Sequence, residues 1–447
     1  MTTMRLLKLS SSFPRCGRLD VAVIFLVLVG IILCGNNSNS RNRILPAGVT
    51  ALSSSSSKQV GRISAGPPEL HLDVSRIGCG TWSWGNRLLF DYKTAQDQEL
   101  YDSYQYIRQH GITLFDTADS YGTADLNGRS EILLGQFERH YQQGFKRVEQ
   151  EETNNKPFWE TFLNTNNKNK KNSNQQQIAT KFAPYPWRIT RKSMVAAAEA
   201  SLGRIYPEYE EEEKDTNGTI RIKKSKQLAI AQLHWSTSQY QPFQEKAIVD
   251  GIADVYDRGY CAGVGVSNYG PQQFLKVAAR MAARQVPLVT AQTQFSLMTY
   301  ADTSVTEDML QVCRDTDQTR VIAYSPLCLG LLTGKYNLDR LPTSGKSPLN
   351  FNPRRQLFRE LLPGATPLLQ TLDVMGKETN TSSAQIAIAW CMAKNTVPIP
   401  GIRTVSQAQQ TIEAATELHL SPDMVTELDV AAKAVTKPMI QNIFQTK

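Results

Sequence analysis

The sequence predicts a closed (β/α)8 TIM barrel that carries an N-terminal hairpin cap and two low-complexity loop insertions. Short β-prone runs alternate with amphipathic helical patterns, and this alternation is typical of a parallel sheet. Eight such units follow one another between residues 69 and 435, a number that favours a closed barrel over an open sheet. No G-x-G-x-x-G follows a strand, which argues against an open dinucleotide-binding sheet.

The composition is that of a globular protein, and the distribution of charge limits the classes of partner that it is expected to bind. The 447 residues are 41% hydrophobic and 20% charged, with a net charge of +8. Residues 1–62 carry most of that charge, because they hold eight Lys or Arg and one acid. The remainder is close to neutral, so we expect no nucleic-acid partner. The seven cysteines are scattered without metal-ligand spacing, which predicts reduced, mostly buried thiols and no metal site.

The first 68 residues have the composition of a two-part leader. Residues 1–35 resemble a signal peptide, since Val21–Cys34 is an apolar run of 14 and a bilayer span needs about 20. Residues 36–68 contain no acid and include the run Ser53–Ser57, which is typical of a transit peptide. The pair resembles leaders of proteins bound for complex plastids, and predicts no stable membrane span in the mature protein. The alternative is a secretory leader or a retained membrane anchor.

The barrel elements follow a boundary at Gly66-Pro67-Pro68. A small hairpin formed by Glu69–Leu72 and Val74–Ile77 is expected to cap the barrel. The β-prone runs predict eight strands: Arg76–Gly80, Ile112–Asp116, Ile178–Lys181, Leu228–His234, Gly263–Ser267, Leu288–Gln292, Arg320–Tyr324 and Val397–Ile399. The amphipathic patterns between them predict helices: Ala95–Gln109, Arg191–Leu202, Phe243–Arg258, Gln272–Arg284, Val305–Cys313 and the capped Ser382–Lys394.

Two segments interrupt the alternation of strands and helices. Residues 141–177 are rich in Asn, Gln and Lys, and residues 206–224 hold the acidic run Glu210–Glu213 followed by a basic run. Both compositions predict solvated loops. They precede the third and fourth strands, which puts them at the bottom of the barrel, away from the strand ends where active sites form. Residues 436–447 are expected to form a C-terminal tail.

Polar residues follow three consecutive predicted strands, at the end where a barrel builds its active site. They are Asp116 with Tyr121 in the next loop, then Lys181, then His234. A phenol has a pKa of about 10, so it needs a nearby ammonium to become a useful acid. We expect Lys181 to supply that charge and Asp116 to hold it in place. Each residue alone could be structural, but together they predict proton transfer to a substrate oxygen that His234 orients.

Motifs at nearly every strand end carry a resemblance to a known family. They are RIGCGTWSWG (76–85), FDTADSYG (115–122), GRSEILLG (128–135), IATKF (178–182), QLHW (232–235), GVSNYG (265–270), AYSPLCLGLLTGKY (323–336) and IPGIRTVSQA (399–408). The chain from about Leu72 to Leu428 resembles the aldo-keto reductases. It is nearer to plant plastid reductases and potassium-channel β-subunits than to aldose reductases. The family's catalytic tetrad corresponds to Asp116, Tyr121, Lys181 and His234.

The resemblance also implies an NADPH/NADP site. Its residues would be Thr81, Ser267, Asn268, Gln292, Tyr324, Ser325, Leu327, Gly330, Gly401, Arg403 and Gln407. Ser267 and Asn268 resemble the pair that holds the nicotinamide amide in the family, with Gln292 beside them, and Tyr324 resembles the aromatic residue that stacks on the ring. Ser325, Leu327 and Gly330 lie in the loop that resembles the family's pyrophosphate clasp. Arg403 near a helix start would favour NADPH over NADH. The sequence departs from the family at Gln410-Thr411, where adenine contacts are usual.

The implied activity is reduction of aldehydes or ketones to alcohols by hydride transfer, with Tyr121 as the general acid. The expected partner is a small carbonyl compound, and the expected state is a monomer. Four tryptophans are expected to wall an apolar pocket: Trp82, Trp84, Trp187 and Trp235. For Trp84 and Trp187, ordinary loop packing is the alternative. The alternative function is a redox-sensing accessory subunit that binds NADPH and turns over slowly.

Overall fold

The computed structural model describes residues 59–68, 71–154, 175–207, 210–214, 220–224, 226–300, 303–316, 319–343 and 352–446. The two-part leader predicted for the first 68 residues therefore lies almost wholly outside the described residues.

Eight parallel strands form the predicted barrel. They are β3 (Cys79–Gly80), β4 (Leu114–Asp116), β5 (Gln177–Phe182), β8 (Leu228–Leu233), β9 (Cys261–Ser267), β10 (Leu288–Gln294), β11 (Arg320–Tyr324) and β12 (Val397–Ile399). Each is hydrogen-bonded to the next in this order. The predicted fold is confirmed, and the last two strands have the predicted bounds.

The barrel closes between its first and last strands. Gly80 forms a parallel bridge with Gly401, and the N–H of Gly80 donates to the carbonyl of Pro400 at 3.0 Å. A Cβ on Gly80 would lie 2.7 Å from the carbonyl oxygen of Ile399. A side chain there would separate the two strands, so the closure needs a glycine.

Helices surround the barrel. They are α1 (Arg87–Phe90), α2 (Asp97–Gln109), α3 (Arg129–Asn154), α4 (Arg191–Ile205), α5 (Pro242–Asp257), α6 (Pro271–Ala282), α7 (Thr303–Asp315), α8 (Pro353–Glu378), α9 (Ser383–Ala393), α10 (Val405–Thr416) and α11 (Pro422–Lys433). Six of those described here, α2, α4, α5, α6, α7 and α9, overlap the six predicted helices. Capping boxes at Thr190 and Ser382 begin α4 and α9, because each side chain accepts from a free N–H of the first turn. None of the helices in these ranges is both long and apolar enough to cross a bilayer.

The N-terminal hairpin is present, but its strands differ from those predicted. Strand β1 (Arg62–Ala65) pairs antiparallel with β2 (Leu72–Ser75). Gly66-Pro67-Pro68 therefore lies within the hairpin connection and does not precede the fold. Ala65 and Val74 pack in a small cluster with residues from inside the barrel: Leu114, Ala179, Ile230, Val289 and Val397. The hairpin therefore closes the bottom of the barrel.

The two predicted loop insertions contain regular structure. Helix α3 continues through the first part of residues 141–177, as far as Asn154. In the second, β6 (Glu210–Lys214) pairs antiparallel with β7 (Ile220–Lys224). The register sets the acidic strand opposite the basic one, with Glu210 opposite Lys224. The sequence prediction missed this hairpin because it treated the two charge runs separately, although opposite charges across strands favour pairing.

Candidate active site

The lower half of the site is a buried ion pair between two barrel strands. Asp116 ends β4 and Lys181 lies in β5, and both are almost completely buried. The Lys181 ammonium donates to Asp116 Oδ1 at 2.7 Å, to Oδ2 at 2.8 Å and to the Thr117 carbonyl at 2.9 Å. Gln292 donates a further bond to Asp116 Oδ1 at 2.6 Å. These bonds compensate the cost of burying the two charges.

The upper half consists of Tyr121 and His234, which are half-buried at the mouth of the barrel. The Lys181 nitrogen lies 4.9 Å from the centre of the Tyr121 ring. The rings of Tyr121 and His234 meet edge to face with centroids 5.9 Å apart. The structure thus brings together all four residues that the sequence predicted as the catalytic tetrad.

The pKa of the Tyr121 phenol is shifted upwards, whereas the sequence predicted that Lys181 would lower it. Burial, the charge of Asp116 and the neighbouring Tyr324 hold the pKa of the Tyr121 phenol well above its usual value. The expected lowering by Lys181 is absent, because the described bonds of the ammonium go to Asp116 and Thr117. Tyr121 is therefore firmly protonated in this structure and has a proton to give.

His234 is neutral at physiological pH. Burial, and then the positive charge of Lys181, hold the pKa of its imidazole well below the usual value. A neutral imidazole has one ring nitrogen that donates and one that accepts. His234 can therefore offer a single N–H to a substrate oxygen without itself being a strong acid.

The residues predicted to hold the nicotinamide amide lie beside the tetrad. Asn268 has a left-handed backbone, with φ of 61°, directly after Ser267 at the end of β9. Its amide donates to the His234 carbonyl at 3.0 Å and to Ser267 Oγ at 3.1 Å. Its Oδ1 accepts from the Tyr324 hydroxyl at 2.8 Å. Gln292 belongs to the same group, although its amide nitrogen is bound to Asp116.

Two predicted cofactor residues use their side chains within the protein. The Thr81 hydroxyl donates to the Asp116 carbonyl at 2.8 Å. Gln407 accepts from the backbone N–H of Arg403 at 2.8 Å through its side-chain oxygen. Thr81 therefore holds the strand end that carries Asp116, and Gln407 holds the backbone of Arg403.

The segment after β11 has a backbone that is unusual for its residues. Ser325, Cys328 and Leu329 have φ values between 47° and 55°, and Gly330 has φ of 98°. Such strained conformations concentrate at functional sites. The N–H groups of Cys328 and Gly330 donate within the segment, to the carbonyls of Ser325 and Leu327 at 2.9 Å each. Leu327 lies inside this stretch, and the turns over Cys328–Thr333 that follow it are interrupted by the non-helical Leu329 and Gly330. The segment therefore fits the predicted pyrophosphate clasp.

Arg354, at the start of α8, is a residue that the sequence reasoning missed. It donates to the Leu329 carbonyl at 2.9 Å, and a Cβ on Gly330 would lie 2.8 Å from its guanidinium. Burial and then the charge of Arg354 lower the pKa of Arg403. Two partly desolvated guanidinium groups beside a left-handed loop fit a phosphate-bearing cofactor. The only sequence signal was the Asn352-Pro353 helix start, which says nothing of an anion.

The four tryptophans do not form one wall. Trp84 is fully buried, and its indole N–H donates to the Ile402 carbonyl at 2.9 Å. Its assignment to the pocket is therefore wrong, because the ring packs in the core against Phe137. Trp235 lies 5.0 Å from His234 between ring centroids, so this tryptophan contacts the tetrad.

Trp82 and Trp187 lie farther out. The Trp82 ring meets Phe90 edge to face at 5.7 Å, and the Phe90 carbonyl accepts from Arg403 at 3.2 Å. Trp187 stacks on Tyr185 at 4.7 Å and is 64% exposed. Trp82 therefore lies towards the predicted phosphate end of the site, and Trp187 on its outer rim.

The C-terminal tail also contacts the site, which no motif indicated. Phe444 stacks on Trp235 with centroids 4.3 Å apart and planes at 12°. The Thr446 N–H donates to the Asn268 carbonyl at 3.2 Å, and the Thr446 hydroxyl accepts from the Gly270 N–H at 2.8 Å. Residues 439–446 thus cross the mouth of the barrel beside the predicted nicotinamide site. Within the described ranges, no group of three or more His, Cys, Asp or Glu side chains is placed to hold a metal ion.

Comparison with known proteins places this geometry in a family. The Aldo/keto reductase family profile matches residues 76–433. The chain is 41% identical over 388 residues to a chloroplastic pyridoxal reductase of Arabidopsis thaliana, covering 86% of this chain and 90% of the relative. It is 26% identical over 362 residues to a probable voltage-gated potassium channel subunit beta of Arabidopsis thaliana, covering 80% and 92%.

A solved structure shares the fold. It is an aldo-keto reductase from Klebsiella pneumoniae in complex with NADPH, with a TM-score of 0.53 and 18% identity, covering 84% of this chain and 95% of that one. The family profile spans the barrel from its first strand to its last helix. The chain therefore belongs to the aldo/keto reductase family.

Proposed function

We propose that this protein is an NADPH-dependent reductase that converts aldehydes or ketones to alcohols. The observation that supports this proposal is the arrangement of the tetrad, with a buried Asp116–Lys181 pair beneath two half-buried proton donors, Tyr121 and His234. The family uses NADP(H), and the left-handed segment with Arg354 and Arg403 fits a phosphate-bearing dinucleotide. Bound NADPH supplies a hydride for the carbonyl carbon.

The protein's own residues supply the proton and the orientation. Tyr121 donates its hydroxyl proton to the carbonyl oxygen, and its raised pKa keeps that proton in place until the oxygen becomes basic. His234 donates its single N–H to the same oxygen and sets the direction of attack. Gln292 holds Asp116, and Asp116 in turn holds Lys181 with its ammonium 4.9 Å from the centre of the Tyr121 ring.

The test of this proposal is turnover of an aldehyde panel with NADPH, followed by loss of reduced-nicotinamide absorbance. Tyr121→Phe keeps the ring and removes the proton, so the rate should fall by roughly 10²–10⁴. Tyr260→Phe is the matched control, since Tyr260 lies just before β9, at the other end of the strand from the site, and its hydroxyl donates to Glu199. Full turnover by Tyr121→Phe would exclude Tyr121 as the acid.

We propose pyridoxal as the first substrate to examine. The support is the 41% identity to a pyridoxal reductase and the aromatic surface that Trp235 and Phe444 form beside His234. Pyridoxal, benzaldehyde and propanal should be compared by kcat/KM. A preference for propanal would contradict the assignment of pyridoxal and leave the carbonyl-reductase proposal intact.

The relative named as a channel subunit supports a second candidate, a redox-sensing subunit that holds NADPH and turns over slowly. The two functions share one active site, so the rate of cofactor release distinguishes them. We expect NADPH to exchange at least as fast as turnover in a reductase. Exchange over hours, with stable co-purification of a membrane complex, would favour the subunit.

We further propose that the protein acts in the plastid as a monomer. The support is the transit-like composition of residues 36–68 and the chloroplastic relative. A fluorescent fusion to the first 68 residues tests the destination, with the endoplasmic reticulum as the opposing outcome. Size-exclusion chromatography with light scattering tests the oligomeric state.

A further inference from the structure

Ser120 directly precedes Tyr121 in the chain, and its hydroxyl faces His234. The Ser120 Oγ is 3.4 Å from His234 Nδ1, and the phenol of Tyr185 lies near enough for the Ser120 hydroxyl to lower its pKa. Ser120 is half-buried, as are its two partners. These three side chains come from three different strand ends, so their meeting is a property of the folded barrel and of no single motif.

The backbone on both sides of Ser120 is fixed. The Asp119 N–H donates to the Lys181 carbonyl at 3.0 Å, and the Tyr121 N–H donates to the Ala118 carbonyl at 3.1 Å. The Asp119 carboxylate also accepts from the Ala183 N–H at 3.2 Å. The Ser120 hydroxyl therefore has a defined position relative to the tetrad.

Both partners of Ser120 are held as well. The backbone N–H of His234 donates to the Phe182 carbonyl at 3.1 Å, and the backbone carbonyl of His234 accepts from the Asn268 side chain at 3.0 Å. The Tyr185 ring lies between Trp187, at 4.7 Å, and the guanidinium of Arg188, at 4.8 Å. Gln244 donates to the Tyr185 carbonyl at 2.8 Å. Both rings are therefore held in the positions in which they lie beside Ser120.

The chemistry of the three side chains determines which group donates and which accepts in the hydrogen bonds between them. A phenol is a better donor than an alcohol, and the unprotonated nitrogen of an imidazole is a better acceptor than either oxygen. The favoured arrangement runs from the Tyr185 hydroxyl to Ser120 Oγ, and from the Ser120 hydroxyl to His234 Nδ1. Bonds aligned in this way also strengthen one another. Burial raises the pKa of Tyr185 to about 12, against a smaller lowering by the Ser120 hydroxyl, so Tyr185 keeps its proton.

We infer that Ser120 sets the tautomer of His234 by donating to Nδ1, which keeps the ring proton on Nε2 for the substrate oxygen. Ser120 is a positioning residue, because it acts through His234 and not on the substrate. This inference rests on the proposed function, since the tautomer matters only if His234 orients a carbonyl oxygen. The histidine would otherwise donate from Nδ1 towards Ser120 and present a lone pair to the substrate.

The direct test is ¹⁵N NMR of the full-length chain labelled at histidine, with the His234 signals assigned by their loss in His234→Gln. The wild type should show an unprotonated Nδ1 and a protonated Nε2. Ser120→Ala should move the Nδ1 signal towards the protonated value, and Ser120→Thr, which keeps a hydroxyl, should restore it. A wild-type His234 protonated at Nδ1 overturns the inference whatever the activity.

The kinetic test compares kcat with the NADPH dissociation constant. Ser120→Ala should lower kcat about fivefold to tenfold, the rate equivalent of one neutral hydrogen bond, and leave NADPH binding unchanged. Tyr185→Phe should lower kcat in the same direction by less. Ser238→Ala is the matched control, because that serine bonds to Ser236 in the neighbouring loop.

The outcomes separate this inference from the proposed function. If Ser120→Ala keeps both the wild-type tautomer and the wild-type kcat while Tyr121→Phe abolishes turnover, the Ser120 inference fails and the reductase stands. If the wild type turns over no carbonyl with NADPH, the proposed function fails, and the inferred role of Ser120 fails with it even when the NMR tautomer is as expected.

Discussion

The ammonium of Lys181 donates to both oxygens of Asp116, and each member of this pair is almost fully buried. Asp116→Asn would leave the ammonium without its counter-charge. Breaking a buried pair in this way costs about 3–5 kcal/mol, so the free energy of unfolding in urea should fall by that amount and turnover should fall with it.

The matched control for that prediction is Asp373→Asn. Asp373 also pairs with a lysine, Lys377, but both side chains are largely exposed, and exposed pairs contribute little to stability. The control should leave the urea midpoint nearly unchanged. Equal effects of the two substitutions on the urea midpoint would show that burial does not increase the contribution of the Asp116–Lys181 pair to stability.

The pKa shifts of Tyr121 and His234 predict a wide pH plateau for kcat/KM. The raised pKa of Tyr121 keeps its proton bound above pH 10, and the lowered pKa of His234 keeps it neutral below pH 6.5. The rate should therefore stay level between about pH 6.5 and about pH 10. Measuring kcat/KM as a function of pH tests this prediction. A rise or fall of kcat/KM near pH 7–9 would contradict the pKa shifts of Tyr121 and His234.

The His234 shift also predicts how stability depends on pH. The unfolded chain binds the histidine proton near pH 6.5, and the folded chain binds it only at lower pH. The contribution of His234 to the free energy of unfolding therefore declines as the pH drops below about 6.5.

Residue identities at the site could be predicted from sequence, whereas side-chain directions could not. The sequence placed Asp116, Lys181 and His234 correctly at strand ends. It could not tell that Trp84 faces the core while Trp235 faces the tetrad, because alternation of faces holds within strands and not in the loops that carry these residues.

At the scale of elements, the C-terminal tail makes the contacts that sequence patterns did not indicate. Thr446→Ala would remove the hydroxyl that accepts from the Gly270 N–H, next to Asn268. Loss of one such bond is worth about 1 kcal/mol, so the NADPH dissociation constant should rise about fivefold. Quenching of tryptophan fluorescence by added NADPH measures it.

Thr416→Ala provides the control for the tail. The Thr416 hydroxyl donates to the Ile412 carbonyl within α10, so the same substitution there removes a bond that does not touch the mouth of the barrel. An unchanged NADPH dissociation constant in Thr446→Ala, as in this control, would show that the tail does not support the cofactor site.

The hairpin and the barrel strands show why some elements were predictable. Arg320–Tyr324 and Val397–Ile399 were predicted with correct bounds because each is a short apolar run between polar loops. The hairpin strand Arg62–Ala65 was missed because Gly66-Pro67-Pro68 has the composition of a boundary, and the same residues also suit a turn. Composition alone does not distinguish a turn inside a domain from the linker before it.

For the whole molecule, the described cysteines should be inert. Cys79, Cys261, Cys313, Cys328 and Cys391 are buried and free. Burial raises the pKa of each of the first four to about 12 and also raises that of Cys391. Because the thiolate is the reactive form, at most Cys16 and Cys34 should react with Ellman's reagent in the native protein.

The same titration of the full 447-residue chain in guanidinium chloride should count all seven thiols, which provides its internal control. Rapid reaction of more than two thiols before unfolding would contradict the burial of the five. Dithiothreitol should correspondingly have no effect on activity, because none of the tetrad is a cysteine.

Strand β1 limits where a peptidase can trim this protein. A cut at the Gly-Pro-Pro segment would release half of the hairpin and uncover the apolar residues that Ala65 and Val74 now shield from below. If a peptidase removes the predicted leader, its cut must therefore lie upstream of Val60, which is itself buried against the body of the protein. Mass spectrometry of the protein purified from its own cells should find every amino terminus on the leader side of that valine.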